Sequence, residues 1–440
     1  MTDAAMETAK PVATRPARTD FGLKKRYRVE RRFRIYGVVA IALGLFFLVA
    51  LISSIVLQGI SAFRQANVEI DVLLDKAIIA PNGAVNTDAL MTGNVFRYDD
   101  VIRNAFAAQL GIAKDDKGTA RTAYNLVSKG ARIQLRAMLA ANPDLVGTRQ
   151  KVSFLLDSNV DAFLKGHIDA DIPESRRPIK DRDIAWIKQL EDSGALSMKF
   201  NTGLFTFGAS SRPETAGVGV AVIGSLYMMA IVLALALPIG VAASIYLEEF
   251  APQNRLTDLI EVNINNLAAV PSIVFGILGL AVFINFAGLP RSASLVGGLV
   301  LTLMTLPTII IATRAALKGV PPSIREAALG VGASKMQAIF HHVLPLATPG
   351  ILTGTIIGLA QALGETAPLL MIGMVAFVAD YPVTPNDPAT ALPVQIYMWA
   401  GQAERAFVER TSAAIIILLA FLAIMNITAV FLRKRFERRW

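Results

Sequence analysis

The chain has 440 residues, 54% of them apolar and only 18% charged, with 43 Lys+Arg against 34 Asp+Glu, three histidines and no cysteine. Soluble proteins carry about 25% charged residues, whereas here the stretches 35–63, 216–246, 262–290, 292–313, 346–364 and 411–432 contain none. A bilayer-spanning helix needs about 20 mostly apolar residues, so this is the composition of an integral membrane protein. The absence of cysteine excludes disulfides, thiolate nucleophiles and cysteine-held metal clusters. Three histidines (His167, His341, His342) leave little for a multi-histidine metal site, and no Gly-Lys dipeptide is present to build a Walker A phosphate loop.

The net charge of +9 sits in two places: residues 1–34 hold ten Lys/Arg against four acids, and 433–440 hold five against one. The polar stretch 61–215 is nearly balanced, with 20 basic and 19 acidic residues. Basic flanks on membrane helices set topology by the positive-inside rule, which accounts for the excess better than nucleic-acid binding does.

In chain order, 1–34 lacks an apolar pattern and is expected to be a disordered cytoplasmic tail away from the membrane. Residues 35–60 follow as a transmembrane anchor, too long for a signal-peptide core and without a small-x-small cleavage site. Its flank Arg31-Arg32-Phe33-Arg34 places the amino terminus inside. Residues 61–215 are long enough for an independent core. There Val152, Leu156, Val160 and Phe163 recur at helical spacing, as do Ile184, Ile187 and Leu190, and a mostly helical extracytoplasmic domain with little strand is expected.

Five more spans are expected at about 217–245, 264–286, 293–313, 348–378 and 411–432, within a membrane core of 216–432. Six spans put both termini on one side, and the basic tail 433–440 agrees. Parity places 61–215 and 380–410 outside and the loops 247–261 and 314–345 inside. The first of these inner loops is unusual, carrying four acids and a single Arg255.

The most informative stretch is Pro321–Pro345, PPSIREAALGVGASKMQAIFHHVLP. Ser323-x-x-Glu326 has the form of a capping box and predicts a short helix over 324–330. Gly330 and Gly332 are expected to break it. Ser334-x-x-Gln337 offers a second box, opening a helix expected to end before Pro345. Ala327 and Ala328 would present small side chains for close approach of another surface. Spacing alone is equally that of an ordinary amphipathic connector.

The order Glu326-Ala327-Ala328, three residues, Gly332, nine residues, a hydrophobic slot, one residue, Leu344-Pro345 resembles the EAA loop of ATP-binding-cassette importer permeases. In the slot that usually holds Ile stands His342, with Val343 beside it. Asn266-Leu-Ala-Ala-Val-Pro-Ser-Ile-Val-Phe-Gly276, Ala362-Leu-Gly-Glu-Thr-Ala-Pro-Leu-Leu370 and Ala391-Leu-Pro-Val-Gln-Ile-Tyr397 are similar to the PstA-type permeases of phosphate-specific importers. This likeness covers roughly 216–440; the 61–215 domain resembles an amino-terminal extension found in part of the family.

The resemblance implies an all-α membrane protein with six transmembrane helices in the type I importer (MetI-like) permease fold. It implies a non-enzymatic subunit of the cell inner membrane that imports phosphate by alternating access. Ser323, Glu326, Ala327, Ala328, Gly332, Leu344 and Pro345 would form its coupling element. Implied partners are a homologous second permease, two copies of an ATPase that alone carries ATP and Mg, an extracytoplasmic phosphate-binding protein, surrounding lipid and a phosphate-responsive signalling system. No cofactor or metal is expected on this chain, nor nucleic acid.

Glu365 lies alone among apolar residues, and a charge at mid-bilayer costs roughly 2.5 kcal/mol or more. With Thr366 and the helix-breaking Pro368 it is a candidate for the translocation path, as are Pro271 and Ser272 at a second break. An acid repels phosphate, so Glu365 would orient a cation, with Arg314 or a residue of the second permease as candidates. Two other readings stay open: a permease for another oxyanion such as phosphonate, sulfate or molybdate, and a membrane sensor using the 61–215 domain.

Overall fold

The structure, a computed structural model, describes residues 23–81 and 85–436. Most of the expected basic tail, and the end of the carboxy-terminal one, lie outside the described residues. The chain divides into two compact units at Ser54/Ile55, inside the first helix, Leu23–Gly59. That helix begins well before the expected anchor, taking in Arg26, Arg28 and Arg31–Arg34. Its apolar residues, among them Val38, Ile41, Leu45 and Phe46, are exposed, as on a lipid-facing span.

The second unit opens with the 61–215 domain, mostly helical as expected but built around a sheet that was not. A three-stranded antiparallel sheet in the order β2-β1-β3 lies at its centre, built from β1 (Arg64–Leu73), β2 (Arg149–Leu155) and β3 (Leu196–Phe200). In β1 Ala66, Val68, Ile70 and Val72 face a core, while Glu69, Asp71 and Leu73 face solvent. Helices 97–109, 131–141 and 181–192 supply the rest of that core through Ile102, Phe106, Leu135, Leu139, Ile187 and Leu190. The Ile184–Leu190 stripe is helical as expected. Val152 instead lies in β2, Leu156 bridges to Val127, and only Val160 and Phe163 fall in a helix, Ser158–Leu164. A spacing of four satisfies a period of two as well as one of 3.6, and the buried Phe154 between them marks the strand.

A buried ionic cluster joins the outer domain to the sixth long helix, Ala406–Phe436. Lys165 Nζ lies 2.6 Å from Asp161 Oδ2 and 2.8 Å from Glu409 Oε1, with only 5% of its side chain exposed. Asp161 also accepts the Ala66 N–H at 2.8 Å, and Ser158 donates to Glu404 Oε1 at 3.2 Å. At Gly59 a Cβ would stand 2.8 Å from the Ala413 nitrogen, so the end of the first helix and the start of the last are in backbone contact.

Among the described residues five helices are long and apolar enough to span a bilayer, or six when one bent pair is counted as a single span. The second helix, Gly219–Ile245, continues as a π-helical turn to Phe250. The third expected span is the bent pair: helix Arg255–Ala268 and the stretch Ser272–Phe286 meet at 101°, with Pro271 at the break. The fourth, Ser294–Lys318, packs closely on the second, where Ser244 Oγ donates to the Ile310 carbonyl at 3.1 Å and Gly240 has no room for a Cβ beside Ile309. Such small-residue contact is how apolar helices associate in lipid. The fifth runs from Lys335 to Gly364 and stops there, rather than reaching 378.

Candidate functional site: a coupling loop and a pair of broken helices

The helix expected to couple to an ATPase spans Pro322–Gly330. It starts two residues earlier than the capping box requires, because Pro322 occupies the first helical position, where its fixed φ and missing N–H are no cost. Pro321 is therefore the N-cap and Ser323 makes no capping bond. The other end is a Schellman motif: Gly332 has φ +90°, its N–H donates to the Leu329 carbonyl at 3.0 Å, and the Ala333 N–H donates to the Ala328 carbonyl at 3.1 Å. Gly332 alone makes the turn; Gly330 is still helical.

The second capping box forms as expected, with reciprocal bonds between Ser334 and Gln337. Its helix does not end before Pro345. A π-helical segment, Ile339–Val343, carries it into Leu344–Gly364, its wider turn making room just before the ring of Pro345. The loop is thus rigidly continuous with the fifth span.

One side of this hairpin belongs to the protein's own core. Ala328, Ile339 and Val343 are buried, the last two in a cluster with Ile245, Leu317, Val320, Ala347 and Ile351 from three spans. Ala328 is therefore not presented outward. Val343, not the exposed His342, supplies the apolar contact. The other side is open: Ser323, Glu326, Ala327 and Gly332 are exposed, beside Leu329, Met336, Phe340 and Val331, the last 87% exposed. Leu344 and Pro345 are half-buried.

Arg325 ties the loop to the membrane helices. Its guanidinium engages Glu249 at 2.6–3.3 Å and donates to the carbonyls of Leu317 and Val320 at 2.9 and 2.8 Å. Arg314 is held nearby by Glu261 and by Glu248, the latter at 3.4 Å, and Lys318 lies 3.6 Å from Glu248. The acidic 247–261 segment is thus the counter-charge of three cations, Arg314 and Lys318 near the end of the fourth span and Arg325 in the 322–330 helix. Arg325 and Glu249 were missed in the sequence; the signal was the excess of acid in a loop assigned to the basic side.

The second constellation lies deeper. Glu365 ends its helix with extended backbone (φ −78°, ψ 129°), and a short helix, Ala367–Met371, follows with Pro368 in its first turn. Gly276, one turn past the Pro271–Ser272 break, packs on this segment: a Cβ there would stand 2.7 Å from Pro368 Cα. The structure therefore brings the two breaks together. Glu365, Thr366 and Ser272 are half-buried and Pro271 exposed, and the Glu365 carboxylate has no hydrogen bond or ion pair among the described residues. Irregular backbone at membrane depth is tolerated where it lines a cavity or meets protein, and broken helices frame substrate sites in transporters.

Arg314 does not share this place. The fourth and fifth spans run antiparallel, with Gly350 on Ala316 and Gly354 on Ala312. Continuing that register at 1.5 Å per residue puts Arg314 about 20 Å from the level of Glu365. Its two glutamates already neutralise it, so it belongs to the charge network at the end of the fourth span.

The model of the binding-protein-dependent transport system inner membrane component matches residues 236–440, and a domain family of unknown function, DUF3333, matches 20–174. A probable ABC transporter permease protein, YqgI of Bacillus subtilis, is 35% identical over 155 residues, covering 35% of this chain and 52% of that protein. The phosphate transport system permease protein PstA 1 of Mycobacterium tuberculosis is 32% identical over 223 residues, covering 51% of this chain and 72% of the relative. Among solved structures, an inward-facing MetNI methionine ABC transporter aligns with a TM-score of 0.41 and 20% identity, covering 50% of this chain and 97% of that one.

Proposed function

As the chain belongs to the family of binding-protein-dependent inner-membrane transport components, it is a multi-pass permease subunit and not an enzyme, and we propose that it carries phosphate inward by alternating access driven by a separate ATPase. The cargo rests on the likeness to phosphate permeases. The drive rests on one observation: an exposed helix whose other face is tied by Arg325 and Ile324 to the second, fourth and fifth spans.

In this reading two copies of the ATPase hold ATP and Mg, and one docks on Glu326, Ala327 and the apolar Leu329 and Val331. A homologous permease completes the path and an extracytoplasmic binding protein delivers phosphate. When the ATPase closes, the coupling helix moves as a unit with the ends of three spans. The cycle is driven by differing affinity of the two ATPase states for the two bundle conformations, since a ligand shifts an equilibrium only through such a difference. Glu365, Thr366, Pro271 and Ser272 line the path, with the cation that meets phosphate coming from the second permease. Both termini lie in the cytoplasm, in keeping with Arg31–Arg34 and Arg433–Arg435.

Uptake of labelled phosphate by the assembled complex, with phosphonate, sulfate and molybdate as competitors, tests the cargo. Phosphate that enters and is displaced by none of them supports the reading; phosphate that neither enters nor competes overturns it.

A further inference from the structure

The outer sheet leaves part of its apolar face uncovered at one end. Directly opposed residues of antiparallel strands share a face, so Leu196, Met198 and Phe200 of β3 stand on the same side as their partners Val68, Ala66 and Arg64. On β1 that side is the domain core. Along β3 it emerges from the helical cover: Leu196 is half-buried, Met198 is 44% exposed and Phe200 62%. Phe200 stacks on Phe205 at a centroid distance of 6.0 Å, and Phe205, 40% exposed, stands 6.0 Å from Phe63. Three aromatic rings and Met198 thus form one apolar patch, while the intervening Lys199 points the other way and bonds Ser153 Oγ at 2.9 Å.

The chain on both sides of this patch runs into the bilayer. Phe63 follows the end of the first helix, Gly59, by four residues, with Ile60 exposed between them. The Phe205 carbonyl lies 2.5 Å from where a Cβ of Gly219, the first residue of the second helix, would stand. A patch flanked by two membrane helices within one turn of its rings is held at the depth of the outer headgroups, where aromatic side chains concentrate. The exposed Arg64, opposite Phe200 in the sheet, suits phospholipid headgroups.

We propose that Met198, Phe200, Phe205 and Phe63 form a lipid-docking surface, by which the outer domain seats into the headgroup–acyl boundary of the outer leaflet. This rests on the membrane-spanning reading of the two flanking helices and not on the cargo, so its failure would leave phosphate transport intact.

Because the chain has no cysteine, single labels report without background. The full chain carrying Phe200→Cys, or Met198→Cys should the first not fold, is tagged with an environment-sensitive fluorophore in phosphatidylethanolamine–phosphatidylglycerol vesicles. Lys199→Cys, on the opposite face, is the control. Headgroup-proximal nitroxide lipid should quench position 200 or 198 several-fold more than position 199, and aqueous iodide should do the reverse. Iodide quenching of both faces alike would mean a solvated patch, and shielding from both quenchers would mean a protein occupant. Either result overturns the proposal.

Discussion

Arg325 donates from Nη2 to Glu249 Oε1 at 2.6 Å, joining the residue just before Glu326 in the coupling helix to the last turn of the second span. Glu249 is almost fully buried and Arg325 three-quarters so, which keeps the pair from the solvent screening that weakens surface ion pairs. Glu249→Gln is expected to leave the protein inserted but to lower transport by roughly ten- to a hundredfold, the loss of about 1.5–3 kcal/mol for a charged hydrogen bond. The double exchange Arg325→Glu with Glu249→Arg should recover part of it. Uptake at matched expression measures both; a single variant as active as the parent would remove this pair from the coupling path.

Gly332 and Gly330 separate two roles in the same turn. At φ +90° a Cβ costs roughly 1–2 kcal/mol, and proline cannot reach that φ and would remove the donor to Leu329. Gly332→Pro should therefore abolish transport and release the ATPase, with Gly332→Ala intermediate. Gly330 is helical with open space around it, so Gly330→Ala should be neutral or stabilising by about 0.5–1 kcal/mol. Glu326→Lys, on the exposed face, should loosen the ATPase without disturbing the fold. Co-purification of the ATPase with each variant checks all four.

Glu365→Gln should change transport with the ATPase still attached. Its carboxylate closes the fifth span without a partner among the described residues, beside the Gly276–Pro368 contact. Unchanged uptake would reduce Glu365 to a cap on a structural break.

Glu214 gives the outer domain a pH dependence. The residue is 3% exposed, and burial pushes its carboxyl above the usual 4.5 against the opposing Ser128 Oγ donation at 2.8 Å. The folded state then keeps a proton that the unfolded state releases at about 4.5, so this group favours folding at low pH and its contribution is lost as pH rises through the native value. Glu214→Gln, a fixed neutral mimic, should flatten this slope and raise the melting temperature at pH 8 more than at pH 5. A parallel shift at both pH values would exclude the titration.

The membrane helices were legible because twenty apolar residues in a row admit one reading. The sheet was equally written in period two, as Ala66-Val68-Ile70-Val72 and Val152-Phe154-Leu156, and was obscured where residues four apart fit helix and strand alike. Local rules failed where a stronger neighbour intervened: Pro322 took the helix start from Ser323, and a π-helical segment carried Pro345 into the fifth span. The pairing of Arg314 with Glu248 and Glu261, and the meeting of the two helix breaks, are long-range facts that residue spacing does not encode.

β1 brings the chain out of the first helix and β3 returns it toward the second, and the two are hydrogen-bonded neighbours from Arg64↔Phe200 to Val68↔Leu196. Opposed Cα atoms in such a ladder are about 4.5–5.5 Å apart. The 61–215 domain is therefore entered and left through a double stem whose strands stand a single residue-width apart, with the Lys165–Glu409 contact as its further tie. A tight turn could replace it without moving either helix, which makes the domain a cassette that evolution can graft onto or prune from the permease while its membrane framework stays as it is.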